Sequence, residues 1–191
     1  MLSAVPWPTR SRLSSAARFG LTVLAGVALM TLSAKTQVPF WPVPMTLHTL
    51  AVMGFAVALG PFLAVSIFLA YLGAGAAGLP VFSGTPANGI GIAYMAGPTG
   101  GYLLGYLVAS WLAGRLAEGR GTAGRLGAML AGLLPVYGLG LACLAVFVPG
   151  DRLLALGFFP FILGDLLKIG VVAAGAALLP ATLGRFRGLR S

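Results

Sequence analysis

Very few side chains in this sequence can do chemistry. Among 191 residues there are three carboxylates, one histidine and one cysteine. Asp165 and Lys168 stand out by their spacing, three positions apart in FILGDLLKIG (161–170), inside an otherwise apolar run. Residues i and i+3 share a helix face, so the carboxylate and the ammonium can partly neutralise each other. Each charge at mid-bilayer costs about 2.5–3.5 kcal/mol, or about 5–7 kcal/mol for two left unpaired. Ionisable groups inside a membrane mark functional sites by default. The pair therefore reads as a polar recognition point, with a structural salt bridge between helices as the other reading. A neutral substrate carrying N–H and C=O groups suits it, because a carboxylate accepts and an ammonium donates.

The remaining reactive types are isolated. His48 has no second histidine or acid at metal spacing, so the expectation is a partly buried hydrogen-bonding residue and no metal site. Cys143, between Ala142 and Leu144, reads as a small core residue and excludes an internal disulfide framework. No nucleophile–base pair or metal cluster can be assembled, so no enzyme is expected. There is no G-x-x-x-x-G-K-[ST], hence no P-loop for ATP hydrolysis; uphill transport would draw on an ion gradient or a partner. GAGAAG (73–78) matches a dinucleotide pattern, but the next acid is Glu118. Without an acid about 20 residues on, small-residue helix packing is the better reading.

The elements that position these residues are membrane helices. The chain is 59% hydrophobic and 8% charged, with a mean hydropathy of +0.99. Soluble domains carry about 25% charged residues, so this surface is meant for lipid. The net charge of +9 does not imply nucleic acid: the arginines cluster between apolar runs, with no basic stripe. Arg10, Arg12 and Arg18 precede an apolar run that lacks a convincing cleavage site, so it reads as a retained first span.

Spans need about 20 apolar residues, which gives helices at about 16–34, 97–117, 124–148 and 160–181. A further stretch from 45 to 79 would be a helix of roughly 50 Å, too long for a hydrocarbon core of about 30 Å. Gly60–Pro61 is the break, because proline removes a donor and disfavours helix before it. The stretch divides into 45–59 and 61–79. The expected fold is an all-α membrane protein, one domain over 1–191 with six transmembrane helices. Six spans put Arg10–Arg18, Arg115–Arg125 and Arg185–Arg190 on one side, which the positive-inside rule makes the cytoplasm, with both termini there. The connections 35–45, 80–96 and 149–159 then lie outside.

The first two outer connections are the richer ones. In KTQVPFWPVPMTLHTL (35–50), Pro39, Pro42 and Pro44 force an extended, semi-rigid segment. Its Phe40 and Trp41 read either as an interfacial anchor or as part of a lid over an apolar ligand. VFSGTPANGIGIAYMAGPTGGYLLGY (81–106) is rich in glycine, with Ser83, Thr85, Asn88 and Thr99 as polar groups. Glycine lets backbone amides approach a ligand, while Gly100, Gly101 and Gly105 suit close helix packing.

QVPFWPVPMTLHTLAV (37–52), GLPVFSG (78–84), GPTGGYLLGY (97–106) and GDLLK (164–168) together resemble the BioY family, the biotin-binding S components of energy-coupling factor (ECF) transporters. The resemblance covers the outer loops and helix starts in the expected order. It implies the ECF S-component fold, in the plasma membrane of a prokaryote, surrounded by lipid. No cofactor is implied; biotin is the transported substrate. It would sit in an outward-facing apolar pocket closed by the 35–45 and 80–96 loops.

Carried onto this chain, Asp165 accepts from the ureido N–H groups, and Lys168 donates to the ureido oxygen or the carboxylate. Asn88 contributes from the second outer loop. Phe40, Trp41 and Tyr94 line the bicyclic ring or its tail, with Thr46 and His48 where the entry loop rejoins the membrane. The implied partners are a transmembrane coupling protein and a pair of cytoplasmic ATPases, with Ala16 and Gly20 on the first helix meeting the coupling protein. His48 departs from the more usual glutamine, and GTPANGIG is less purely glycine than its counterparts. An S component for another vitamin and a stand-alone proton-coupled carrier are the alternatives.

Overall fold

The computed structural model describes residues 11–38 and 45–178. Phe40, Trp41, the three prolines around them, Arg10 and the C-terminal arginines lie outside the described residues. Helix α1 (Ser11–Lys35) is followed by β1 (Gln37–Val38) and β2 (Met45–Thr46). Then come α2 (His48–Ala76), α3 (Gly91–Met95) and α4 (Gly100–Ala117). The chain continues with α5 (Thr122–Leu144), α6 (Gly150–Gly157) and α7 (Phe159–Leu178).

Helix α2 is not one rod. Gly60 has φ 80° and ψ 173°, outside helical values and beside Pro61. In a straight helix His48 and Tyr71 would be about 35 Å apart; instead their rings meet at 5.5 Å. The chain therefore folds back at Gly60 into two limbs, 48–59 and 61–76. A positive φ is open to glycine and strained for other residues, which is why the turn needs only this one residue. With α1, α4, α5 and α7 the two limbs make six transmembrane helices. Helices α1 and α2, α5, and α6 with α7 (Gly150–Ala177) qualify as membrane spans by length and composition. Leu21, Leu24 and Leu32 on α1 are all more than 60% exposed, as a lipid-facing surface requires.

The first limb of α2 is central to the core. On one side Ala51 and Val52 pack with Met30 and Ala34 of α1 and with Ile67, Phe68 and Tyr71 of the second limb. On the other, Met53 and Ala56 pack with Ala109 and Ala113 of α4, Met129, Leu133 and Tyr137 of α5, and Ile169 of α7. Glycines set the closest approach, between α4 and α5. A Cβ at Gly105 would lie 2.6 Å from the Pro135 carbonyl oxygen, so that contact excludes any larger residue. Lipid tails give apolar helices no hydrophobic reason to associate, and such small-residue contacts supply the packing that replaces it.

The two ends of the bundle differ. At one, Arg115, Arg120 and Arg125 surround the α4–α5 connection, with Arg115 paired to Glu118 at 2.7 Å. At the other lie the hairpin, the 77–99 segment and α6. Here helix α2 begins at His48 and not at 45, because Gln37 and Val38 pair antiparallel with Thr46 and Met45. The 80–96 connection contains the short helix α3, and 149–159 contains α6.

Candidate functional site

The polar chemistry gathers at the hairpin end. Gly164 lies directly against the Met45 side chain, which seats α7 on β2. The next residue on the buried face is Asp165, then Lys168, 3% and 9% exposed. Lys168 Nζ donates to Asp165 Oδ1 at 2.9 Å. Tyr137 on α5 donates its hydroxyl to Asp165 Oδ2 at 2.7 Å. The i, i+3 pair is thus a three-residue network across two helices. Capacity remains: the ammonium has three donors and each carboxylate oxygen two lone pairs.

Beside this network is a cavity of about 120 Å³. Its walls are largely aromatic: Tyr71 from the second limb, Phe82 and Tyr94 from the connecting segment, and Tyr102 and Tyr106 from α4. Tyrosines four apart share a helix face, so α4 presents two phenols together. Thr46, His48, Ser83, Thr99 and Leu103 complete the lining. His48 stacks on Tyr106 at 4.7 Å and 9°, and Phe82 stacks on Tyr94 at 4.9 Å. The ionic pair adjoins this wall, with Lys168 in Coulombic range of His48 and Asp165 of Tyr106.

Most cavity hydroxyls are committed elsewhere. Tyr71 donates to the Val81 carbonyl at 3.2 Å, Tyr102 to the Gly157 carbonyl at 2.8 Å, and Tyr106 pairs with Thr49 at 2.8 Å. Burial pushes the Tyr94 phenol above its ordinary value, against a hydrogen bond with Thr99; it stays neutral at physiological pH. Phe82 is held from behind: the Lys35 ammonium donates to the Thr85 carbonyl at 2.6 Å and to Thr85 Oγ1 at 2.7 Å. That hydroxyl in turn donates to the Phe82 carbonyl at 2.6 Å. The end of α1 thus grips the segment that supplies one cavity wall.

Of the residues singled out from the sequence, Thr46, His48 and Tyr94 come together in the cavity, and Asp165 and Lys168 lie beside it. Asn88 does not join them. It is exposed in the turn after Gly84, to whose carbonyl its backbone N–H donates at 2.9 Å. His48, expected as partly buried and hydrogen-bonded, is 6% exposed and its Nε2 has no partner. Phe40 and Trp41 lie outside the described residues. Ala16 is exposed and Gly20 half-exposed on α1, with open space where a Cβ at Gly20 would point. Among the described residues no three metal-ligating side chains cluster. Sequence reasoning missed Tyr137, Tyr71, Phe82, Tyr102 and Tyr106; the four-residue spacing of the last two was the available signal.

Comparison with known proteins gives one consistent result. Residues 9–185 match the model of the BioY family. A protein of Pyrococcus horikoshii named "Probable biotin transporter BioY" is 39% identical over 74% of this chain and 83% of its own length. "Biotin transporter BioY" of Thermotoga maritima is 38% identical over 82% and 92%. Among solved structures, the S-component for biotin from an ECF-type ABC transporter superposes with a TM-score of 0.68. It is 23% identical, and the match covers 91% of this chain and 94% of that one, so the fold is shared.

Proposed function

The chain belongs to the BioY family, a family of transport proteins and not of enzymes, and from that premise we propose that it captures biotin as the S component of an ECF transporter. The relatives' names support the substrate, and the fold shared with a biotin S component supports the role. The observation that carries the reading is the buried Asp165–Lys168 pair beside an aromatic cavity. A bicyclic ligand with a polar urea edge and an apolar flank needs both surfaces. Asp165 accepts from the ureido N–H groups, Lys168 donates to an oxygen of the ligand, and Thr46, His48 and Tyr94 contact the ring system or its tail. Phe40, Trp41 and Asn88 contribute from the 35–45 and 80–96 loops that close the pocket.

The hairpin end faces outward. The arginines of the α4–α5 connection and both termini are cytoplasmic, in the plasma membrane of a prokaryote, by the positive-inside rule. With no P-loop of its own, the chain delivers biotin through a transmembrane coupling protein and a pair of ATPases, which α1 meets through Ala16 and Gly20.

The test is equilibrium binding of biotin against a panel of other vitamins, on the purified protein in detergent. Biotin binds tightly and selectively; Asp165→Asn and Lys168→Ala each weaken it by about 100-fold or more, as truncation of a buried charge pair does. Preference for another vitamin would replace the substrate. Unchanged affinity in both variants would remove the pair from the site.

A further inference from the structure

One buried polar atom in the cavity has nothing to bind. Among the described residues, His48 Nε2 is the only buried side-chain nitrogen or oxygen without a hydrogen-bond partner. Its ring cannot swing out to find one. It stacks on Tyr106 at 4.7 Å, meets Tyr71 edge-on at 5.5 Å and lies 5.9 Å from Phe68. The neighbouring phenols give it no help, since Tyr71 and Tyr106 spend their hydroxyls on Val81 and Thr49. Leaving a buried polar group unsatisfied is costly, and each native case calls for an explanation. Here the orphan lines the cavity, and the ring is pre-oriented before any ligand arrives.

We propose that His48 Nε2 hydrogen-bonds the ureido edge of the ligand, and so fixes which end enters first. The proposal rests on the biotin reading above. Its ground is the cost of desolvation. A carboxylate is far more expensive to bury than a neutral urea, and the cavity grades in that direction, from exposed Thr99 and half-buried Ser83 to buried His48. The urea goes in beside His48 and Lys168, which are in Coulombic range of each other. Lys168 then donates to the ureido oxygen, and the valerate carboxylate stays at the mouth. An imidazole nitrogen donates or accepts according to tautomer, so Nε2 can serve either the C=O or an N–H of the urea.

The experiment is calorimetric titration of biotin and biotin methyl ester into the wild-type protein and into His48→Phe, His48→Gln and His48→Asn. The ester binds wild type about as well as biotin, because the blocked carboxylate is distal. His48→Phe keeps the stack and weakens both ligands roughly tenfold or more, the loss of one hydrogen bond to a buried partner. His48→Gln, whose amide reaches as far as Nε2, stays close to wild type; His48→Asn, whose amide stops short, loses as much as His48→Phe. Full affinity in a folded His48→Phe overturns the contact. Equal losses in Gln and Asn make His48 a packing residue, and a large loss for the ester in wild type reverses the orientation. Should His48→Phe fail to fold, the Gln–Asn pair carries the same decision. No biotin binding by wild type would instead sink the biotin reading itself.

Discussion

Two buried polar centres adjoin one another at the hairpin end, and they are solved in opposite ways. The Asp165–Lys168–Tyr137 network is closed on itself before any ligand arrives: both carboxylate oxygens are engaged, at 2.9 and 2.7 Å, although lone pairs and ammonium donors are left for a ligand. His48, packed among aromatic rings, is left open at Nε2. The difference follows from the price of burial. An isolated charge in a low-dielectric interior is too costly to leave without partners. An imidazole nitrogen left unpaired costs far less, so the fold can hold one open until a ligand arrives.

Breaking the closed centre carries the largest effect. Lys168→Met strands the Asp165 carboxylate beside Tyr137 alone, and the loss of a buried partner costs about 3–5 kcal/mol. Thermal unfolding in detergent reads this as a marked fall in melting temperature. The double change Asp165→Asn with Lys168→Met removes both charges and recovers most of the stability, while biotin binding stays lost. Recovery of both would make the pair structural only. Failure to recover either would mean the network supports more than its own charges.

The open centre gives an effect of opposite sign. His48→Phe removes the orphan and keeps the ring stack, so the ligand-free protein gains about 1 kcal/mol, the penalty of one unsatisfied group. Its melting temperature rises slightly without biotin, but the increment that biotin adds shrinks. A fall in the ligand-free protein would mean that Nε2 is not an orphan in the membrane.

The smallest effect comes from outside both centres. Lys35 is exposed and touches neither, but it clasps Thr85 behind Phe82. Lys35→Met leaves the melting temperature nearly unchanged. It weakens biotin about fivefold, roughly the worth of one net hydrogen bond of about 1 kcal/mol, through faster release. Stopped-flow dissociation reads this directly. A release rate like wild type would show that the α1 clasp does not hold the cavity wall during binding.

The closed centre was partly legible in the sequence and the open one hardly at all. Asp165 and Lys168 announce themselves because two charges in an apolar helix are rare and their i, i+3 spacing is local. The break at Gly60–Pro61 and the α4 glycines are legible for the same reason: backbone rules act over a few residues. Tyr137 lies 28 positions from Asp165 and Lys35 lies 50 from Thr85, and no local pattern links such partners. The cavity walls were hidden differently. In a membrane helix an aromatic facing lipid and one facing a cavity have the same character, so only the packed bundle separates them. Asn88, carried over from the family resemblance, is exposed in the turn after Gly84 and is not among the residues lining the cavity.

The one-residue turn at Gly60 has a consequence for how the chain enters the bilayer. The limbs 48–59 and 61–76 are about 18 Å and 24 Å long at 1.5 Å per residue, against a hydrocarbon core of about 30 Å. Neither limb can stand as an independent span. They must insert together as a closed hairpin, and the half-inserted first limb, which carries His48, has no stable existence during synthesis. The part of the cavity wall that α2 supplies, His48 and Tyr71, is therefore brought together at insertion, before any ligand arrives.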